Sequence, residues 1–285
     1  MVTVAVETIQ GSIGEEFAGS SPDGAMSLWW LGQAGFAIRV GNSRVLIDPY
    51  LSDSLAAKYA GKDFSHTRLM PTPLSVEQLP PLAAVLCSHA HGDHMDPATL
   101  PAIAASQPAC RFIVPAAEAS QASQRGVPAD RMLAVNAGDS VDLGGLAVHV
   151  VPAAHEELKV NARGEHHFLG FILRGAGVSV YHSGDTIPFA GQADLLAANG
   201  VDVALLPVNG RDEDRTRRGV IGNMTLQEAA DLCRSGGVGV LIPHHFGMFQ
   251  FNTIAPQDLV RQVAGLDKRL RCLVPDVKHR FTIHP

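Results

Sequence analysis

Ala83-Ala84-Val85-Leu86-Cys87-Ser88-His89-Ala90-His91-Gly92-Asp93-His94 is the stretch from which the fold can be read. Its first five residues are an apolar run, the signature of a buried strand. Its last six place three imidazoles and one carboxylate just past the strand end in the spacing H-x-H-x-D-H. Neutral imidazole and carboxylate suit zinc, manganese or iron better than a thiolate-loving ion. Residues two apart on an extended chain point the same way. His89 and His91 can therefore grip one ion, while Asp93 and His94, beyond the Gly92 bend, turn to a second.

Upstream of this motif, Leu28-Trp29-Trp30-Leu31, Phe36-Ala37-Ile38-Arg39-Val40 and Val45-Leu46-Ile47-Asp48 read as three short strands of an antiparallel meander. Residues 1 to about 26, rich in Gly, Ser and Glu, read as a loose leader, and 27–285 as a single domain. From 49 to 81 prolines punctuate a long loop of the kind that often covers a site. Downstream, Asp96-Pro97 predicts an N-cap and first helical position, with a helix through about Ser106. A strand at 111–114, a helix at 115–125 and short strands near 132–135, 141–143 and 146–151 follow, then strands at 168–174, 177–182, 202–206 and 238–242. Helices are expected near 189–199 and 256–264 and after the capping box Thr225-Leu226-Gln227-Glu228, with terminal strands near 271–274 and 280–283. The order lacks the regular alternation of a doubly wound sheet. It fits an α/β (α+β) chain with two sheets faced by helices.

If the motif is half of a two-ion site, further ligands should stand at other strand ends, where loops gather at one rim of a sheet. His155 follows the run ending at Val151-Pro152, Asp185 follows Val178-Ser179-Val180-Tyr181-His182, and His244-His245 follow Val240-Leu241-Ile242-Pro243. Spacing does not choose between His244 and His245. Asp48 also ends a strand and is expected to accept a proton from a ligand imidazole, fixing its tautomer and aim. His66, His149, His166, His167, His279 and His284 read as ordinary loop or strand residues.

With 285 residues, 46% of them hydrophobic, the chain can bury a large core. A net charge of −6 without a basic run excludes nucleic acid as the expected partner. The four cysteines lack C-x-x-C spacing and read as reduced thiols. No stretch reads as a signal peptide or a membrane span, so a cytoplasmic protein without membrane association is expected.

Taken in order, Asp48, His89-x-His91-x-Asp93-His94, His155, Asp185 and His245 resemble the five motifs of the metallo-β-lactamase superfamily. Trp29-Trp30-Leu31-Gly32, Tyr181-His182-Ser183-Gly184-Asp185-Thr186, Asp202-Val203-Ala204-Leu205, Asn223-Met224-Thr225 and Ile242-Pro243-x-His245 resemble its L-ascorbate 6-phosphate lactonase branch. The resemblance covers about residues 27–283. It implies a four-layer αββα sandwich with the site at the open edge of the sheets. It assigns His89, His91 and His155 to one ion, Asp93, His94 and His245 to the other, and Asp185 as the bridge. It leaves His244 a neighbour.

The expected activity is that of a dinuclear hydrolase, a lactonase acting on a small lactone, a phosphorylated sugar-derived one among the candidates, through a hydroxide shared by two divalent ions, manganese or zinc. Asp93 and Asp185 are the expected catalytic carboxylates. Arg211, with Arg215, Arg217 and Arg218, is a candidate for holding an anionic substrate, although the interleaved Asp212, Glu213 and Asp214 fit a solvated loop slightly better. The partner is a small molecule, and the branch suggests a homo-oligomer. Two other readings are a phosphodiesterase acting on a small nucleotide or phospholipid, and a metal-dependent metabolite sensor without turnover.

Overall fold

The double tryptophan shows how the chain divides its core. Successive strand residues face opposite sides, and here Trp29 packs outward with Phe17, Leu46, Val85 and Phe112, while Trp30 packs inward with Phe36, Phe171 and Leu205. Both faces of this sheet are covered. That is why its central strands read as continuous apolar runs rather than alternating ones.

A computed structural model describes residues 2–20, 22 and 24–285. One sheet is built from β1 (Thr3–Thr8), β2 (Met26–Trp30), β3 (Phe36–Val40), β4 (Ser43–Ile47), β5 (Ala84–Leu86), β6 (Arg111–Pro115), β7 (Met132–Val135) and β15 (His279–His284), in the order β1-β15-β2-β3-β4-β5-β6-β7. The other holds β8 (Ser140–Asp142), β9 (Ala147–Pro152), β10 (Leu169–Gly175), β11 (Val178–His182), β12 (Val203–Pro207), β13 (Val240–His244) and β14 (Arg271–Cys272), in the order β14-β13-β12-β11-β10-β9-β8. The first sheet's outer core takes in side chains of α1 (Ile13–Ala18), α3 (Thr99–Ser106) and α4 (Ala119–Gln124). On the second sheet, α7 (Leu226–Ser235) packs on β12 and β13 and touches α5 (Gln192–Ala198) and α8 (Pro256–Ala264). The result is the αββα sandwich.

In each sheet β4 through β7 and β11 through β14 run parallel. Parallel neighbours bring their carboxyl ends to one rim, where sheets of this kind bind ligands. Asp48, His89, Asp185 and His245 all follow such ends.

Several expectations are corrected. The described part of the 1–26 leader supplies an edge strand, β1, which pairs with β15 from Thr3↔His284 to Thr8↔His279. It also supplies α1, closed by a Ser12–Glu15 capping box and anchored by buried Ile13 and Phe17. The helix expected from Asp96-Pro97 begins at Thr99. Asp96 caps it from outside, its Oδ1 accepting from the Ala98 N–H at 3.1 Å and its Oδ2 from the Thr99 hydroxyl at 2.5 Å. The 49–81 loop carries α2 (Ser54–Lys58), and the Arg211 loop carries α6 (Glu213–Arg217). The Thr225–Glu228 capping box opens α7 as expected. All four cysteines are free, and three are buried. Among the described residues no helix is long and apolar enough to cross a membrane.

Candidate metal centre

Asp48 is the floor of the site. Its backbone lies in the left-handed region at φ 45°, a conformation rare outside glycine and common where a functional side chain must be aimed. Both of its oxygens are occupied. Oδ1 accepts from the Ser88 N–H at 2.7 Å, and Oδ2 accepts from the Ser88 hydroxyl at 2.6 Å and from His94 Nδ1 at 2.7 Å. The Ser88 oxygen in turn lies 3.0 Å from His89 Nδ1, which can donate to it. For the neutral rings these contacts favour the Nδ1–H tautomer of His89 and His94, which turns both Nε2 atoms toward the site. Those two Nε2 atoms are fully buried and have no hydrogen-bond partner.

The other ligand candidates close around the same point. Asp185 Oδ1 lies 3.3 Å from His94 Nε2, and its Oδ2 lies 3.5 Å from His155 Nε2 and 3.1 Å from His245 Nε2. Donor atoms cluster within 4.8 Å of one another in three groups: His89, His91 and His155; His89, His94 and Asp185; Asp93, His94 and His245. Asp185 therefore sits between two triads. A buried imidazole or carboxylate atom without a partner is costly, and a divalent cation accepts this donor set. The residues fit such an ion. The geometry also separates the histidine pair, since His245 faces Asp185 whereas His244 stacks on His182 behind the site, with centroids 4.9 Å apart at 7°.

Charge follows the same layout. Burial opposes ionisation of Asp185, but the neighbouring His245 and His94 outweigh it and hold the carboxyl well below its ordinary value. Burial also opposes ionisation of Asp93, which is nonetheless lowered by His94, His245 and a Gln33 hydrogen bond. His94 goes the other way: burial disfavours its cation, but Asp185, Asp48 and Asp93 together raise it well above an ordinary imidazole. Burial, His94 and His91 push His89 well down.

Four further residues shape the site without having been expected to do so. Ser88 links Asp48 to His89. Gln33, in the turn after β2, donates from Nε2 to Asp93 Oδ2 at 2.8 Å and lies 3.1 Å from His245 Nε2. Its carbonyl accepts from the His245 N–H at 2.8 Å and from Trp30 Nε1 at 2.9 Å. Phe168 lies beside the rings of His89, His91 and His155, at 5.2, 6.1 and 5.1 Å. The Thr186 hydroxyl accepts from the Ala154 N–H at 3.1 Å, tying the His155 loop to the Asp185 loop. A proline-free turn after an apolar strand was the available signal for Gln33, and nothing local distinguishes Phe168.

Arg211 does not join the site. Its guanidinium makes a forked pair with Glu228, at 2.7 and 2.6 Å, and donates to the Asn223 carbonyl. Arg215 is held by Asp212, and Arg217 and Arg218 by Asp214. The site opens instead into a cavity of about 430 Å³ whose walls include Leu55, Tyr59, His66, Val220, Phe249 and Phe251. His66, expected to be an ordinary loop residue, lines this cavity.

Residues 43–246 match the family model described as the β-lactamase superfamily domain. A protein of Pyrobaculum aerophilum named as a metal-dependent hydrolase is 28% identical over 245 residues, covering 85% of this chain and 94% of the relative. An uncharacterized protein of Mycobacterium tuberculosis is 28% identical over 226 residues, 79% of this chain, which spans 59% of that relative. Among solved structures, a metallo hydrolase from Ignicoccus hospitalis is similar with a TM-score of 0.64 at 21% identity, over 90% of this chain and 98% of the other.

Proposed function

Because this chain belongs to the β-lactamase superfamily domain family, we propose that it is a metal-dependent hydrolase that holds two divalent ions and opens a small lactone. One observation carries the reading: six donor side chains converge around a seventh, Asp185, with the inward Nε2 atoms of His89 and His94 left unpartnered, at the base of an open cavity. Ions bound there would lower the pKa of a shared water toward about 7 and polarise the carbonyl it attacks.

The chain's own residues do the rest. His94 and His89 are fixed by Asp48 and Ser88, and Asp185 stands between the triads. Asp93, part of the cavity wall and steered by Gln33, can take a proton from the attacking water and return it to the ring oxygen. Hydroxide adds to the carbonyl carbon, the acyl C–O bond breaks with its electrons on the ring oxygen, and that oxygen takes the proton. The product is an open hydroxy acid. The lactone assignment is supported by segments that resemble the ascorbate lactonase branch, among them Tyr181-His182-Ser183-Gly184-Asp185-Thr186. Phosphodiester hydrolysis is the weaker reading, because the arginines that would hold phosphate are already paired within the protein.

Metal analysis coupled to a substrate panel tests the reading. About two transition-metal ions per chain, lactone opening that chelation abolishes, and loss of both in a folded His91→Ala variant are the expected results. Full activity in metal-free protein would overturn it.

A further inference from the structure

Part of the wall of the cavity that the metal-ligand candidates line is an aromatic cluster drawn from two loops, 59–66 and 249–251. Tyr59 stacks on His66 with centroids 4.1 Å apart at 18°, and His66 meets Phe249 and Phe251 edge-on at 5.0 and 4.7 Å. Phe64 tilts onto Phe251 at 5.3 Å. His66 Nδ1 lies 2.7 Å from the Phe64 carbonyl, to which it can donate; burial outweighs that bond and lowers the imidazole below its ordinary value, which favours a neutral ring in the cluster. From these contacts we infer that the substrate is an uncharged molecule bearing an aromatic or branched-alkyl arm, seated against Tyr59, His66, Phe249 and Phe251 while its hydrolysable ring faces Asp93 and Asp185. The inference rests on the hydrolase reading of the same site.

Charge around the cavity argues the same way. Arg125 lines it, but its guanidinium donates to the Met95 carbonyl at 2.7 Å. Arg215 donates to Asn252 Oδ1 and the Asn209 carbonyl, and Arg218 lies over the Phe64 ring at 4.5 Å while paired with Asp214. Lys58, on the wall, is exposed and lies 5.2 Å from the Tyr59 ring, and the exposed carboxylate of Asp63 shares that wall. A phosphate would find no buried cation here among the described residues. Ring faces and edges reward a flat apolar group instead.

Calorimetry with non-hydrolysable lactams on the protein as purified tests this, using a δ-lactam with a phenyl arm, the plain ring and a ring bearing phosphate. The phenyl lactam should bind at least about tenfold tighter than the plain ring, which corresponds to about 1.4 kcal/mol. Phe251→Ala, at a half-buried position, should shrink that preference to about twofold with an unchanged melting curve, and Phe251→Leu should restore part of it. Tightest binding by the phosphate-bearing ring, an equal affinity for phenyl and plain rings, or no phenyl-lactam binding at millimolar concentration would overturn the inference. The matching lactones, assayed with manganese or zinc, separate the two claims. A phenyl preference in binding with no lactone opened removes the lactonase reading and leaves the substrate class standing. Lactone opening with the same kcat/KM for phenyl and plain rings does the reverse.

Discussion

His94 Nδ1 and Asp48 Oδ2 lie 2.7 Å apart with both side chains fully buried. Asp48 thus fixes the tautomer of an imidazole whose other nitrogen faces Asp185, and partners of this kind typically contribute 10–100-fold to metal affinity. Asp48→Asn keeps the shape but swaps one acceptor for a donor that must face either the Ser88 N–H or His94. Zinc affinity, measured by competition with a chelating dye, is expected to fall by about 10–100-fold. An unchanged affinity would remove Asp48 from the metal centre.

Arg211 gives the opposite expectation. It is exposed and pairs with Glu228, which already serves the α7 capping box by accepting from the Thr225 N–H at 2.8 Å. Exposed pairs contribute little, typically under about 1 kcal/mol. Arg211→Ala should lower stability by less than that in urea titration and leave KM for any turned-over substrate unaltered. A large rise in KM would return Arg211 to the substrate site.

These two residues differ in how much of their placement the local sequence carries. Asp48 is legible because a carboxylate ending an apolar strand repeats the pattern of the strand-end ligands. The fate of Arg211 is not, because its partner lies 17 residues away, beyond α6 and the loop that follows it, with no periodic relation to it. The same holds for β1. In Thr3-Val4-Ala5-Val6-Glu7-Thr8 only Val4 is buried, so the local pattern is weak, and the strand exists through pairing with residues 279–284 at the other end of the chain. The aromatic wall is likewise assembled from two distant loops. Local patterns carry strands and their ends, whereas partner choice between distant segments is set by packing.

Acid should weaken the metal-free fold. Burial lowers His182, His244 and His89, first among the causes in each case. His182 uses both ring nitrogens in the neutral form, with Nε2 toward the Ala34 carbonyl at 2.8 Å and Nδ1 accepting from the Gly184 N–H at 3.1 Å. His244 has no partner on either nitrogen. An imidazole whose folded pKa is depressed stabilises the fold fully above its unfolded value near 6.5 and loses that contribution as pH falls toward the folded value. His94, raised instead, opposes the trend, but His91, His66 and His166 are lowered by burial as well and act with the other three. Melting of chelator-treated protein should therefore drop between pH 7.5 and 5.5, and His244→Phe should blunt the drop. A pH-independent melting temperature would contradict this account.

Gly184 is where backbone and chemistry meet most tightly. It sits at φ 60°, and a Cβ there would lie 2.7 Å from both the Leu169 carbonyl oxygen and Ser88 Cβ. Neither neighbour can yield cheaply: Leu169 belongs to β10, and its N–H donates to the Ser88 carbonyl at 2.9 Å, while Ser88 holds Asp48. Gly184→Ala must therefore shift the turn that carries Asp185 out from between the two triads, in addition to the left-handed strain of about 1–2 kcal/mol. Expected are a lower melting temperature and a loss of bound metal larger than the stability change alone would give, read by metal analysis of the folded fraction. Retention of full metal content would show that the Asp185 turn is not pinned between β10 and the Asp48–Ser88 pair.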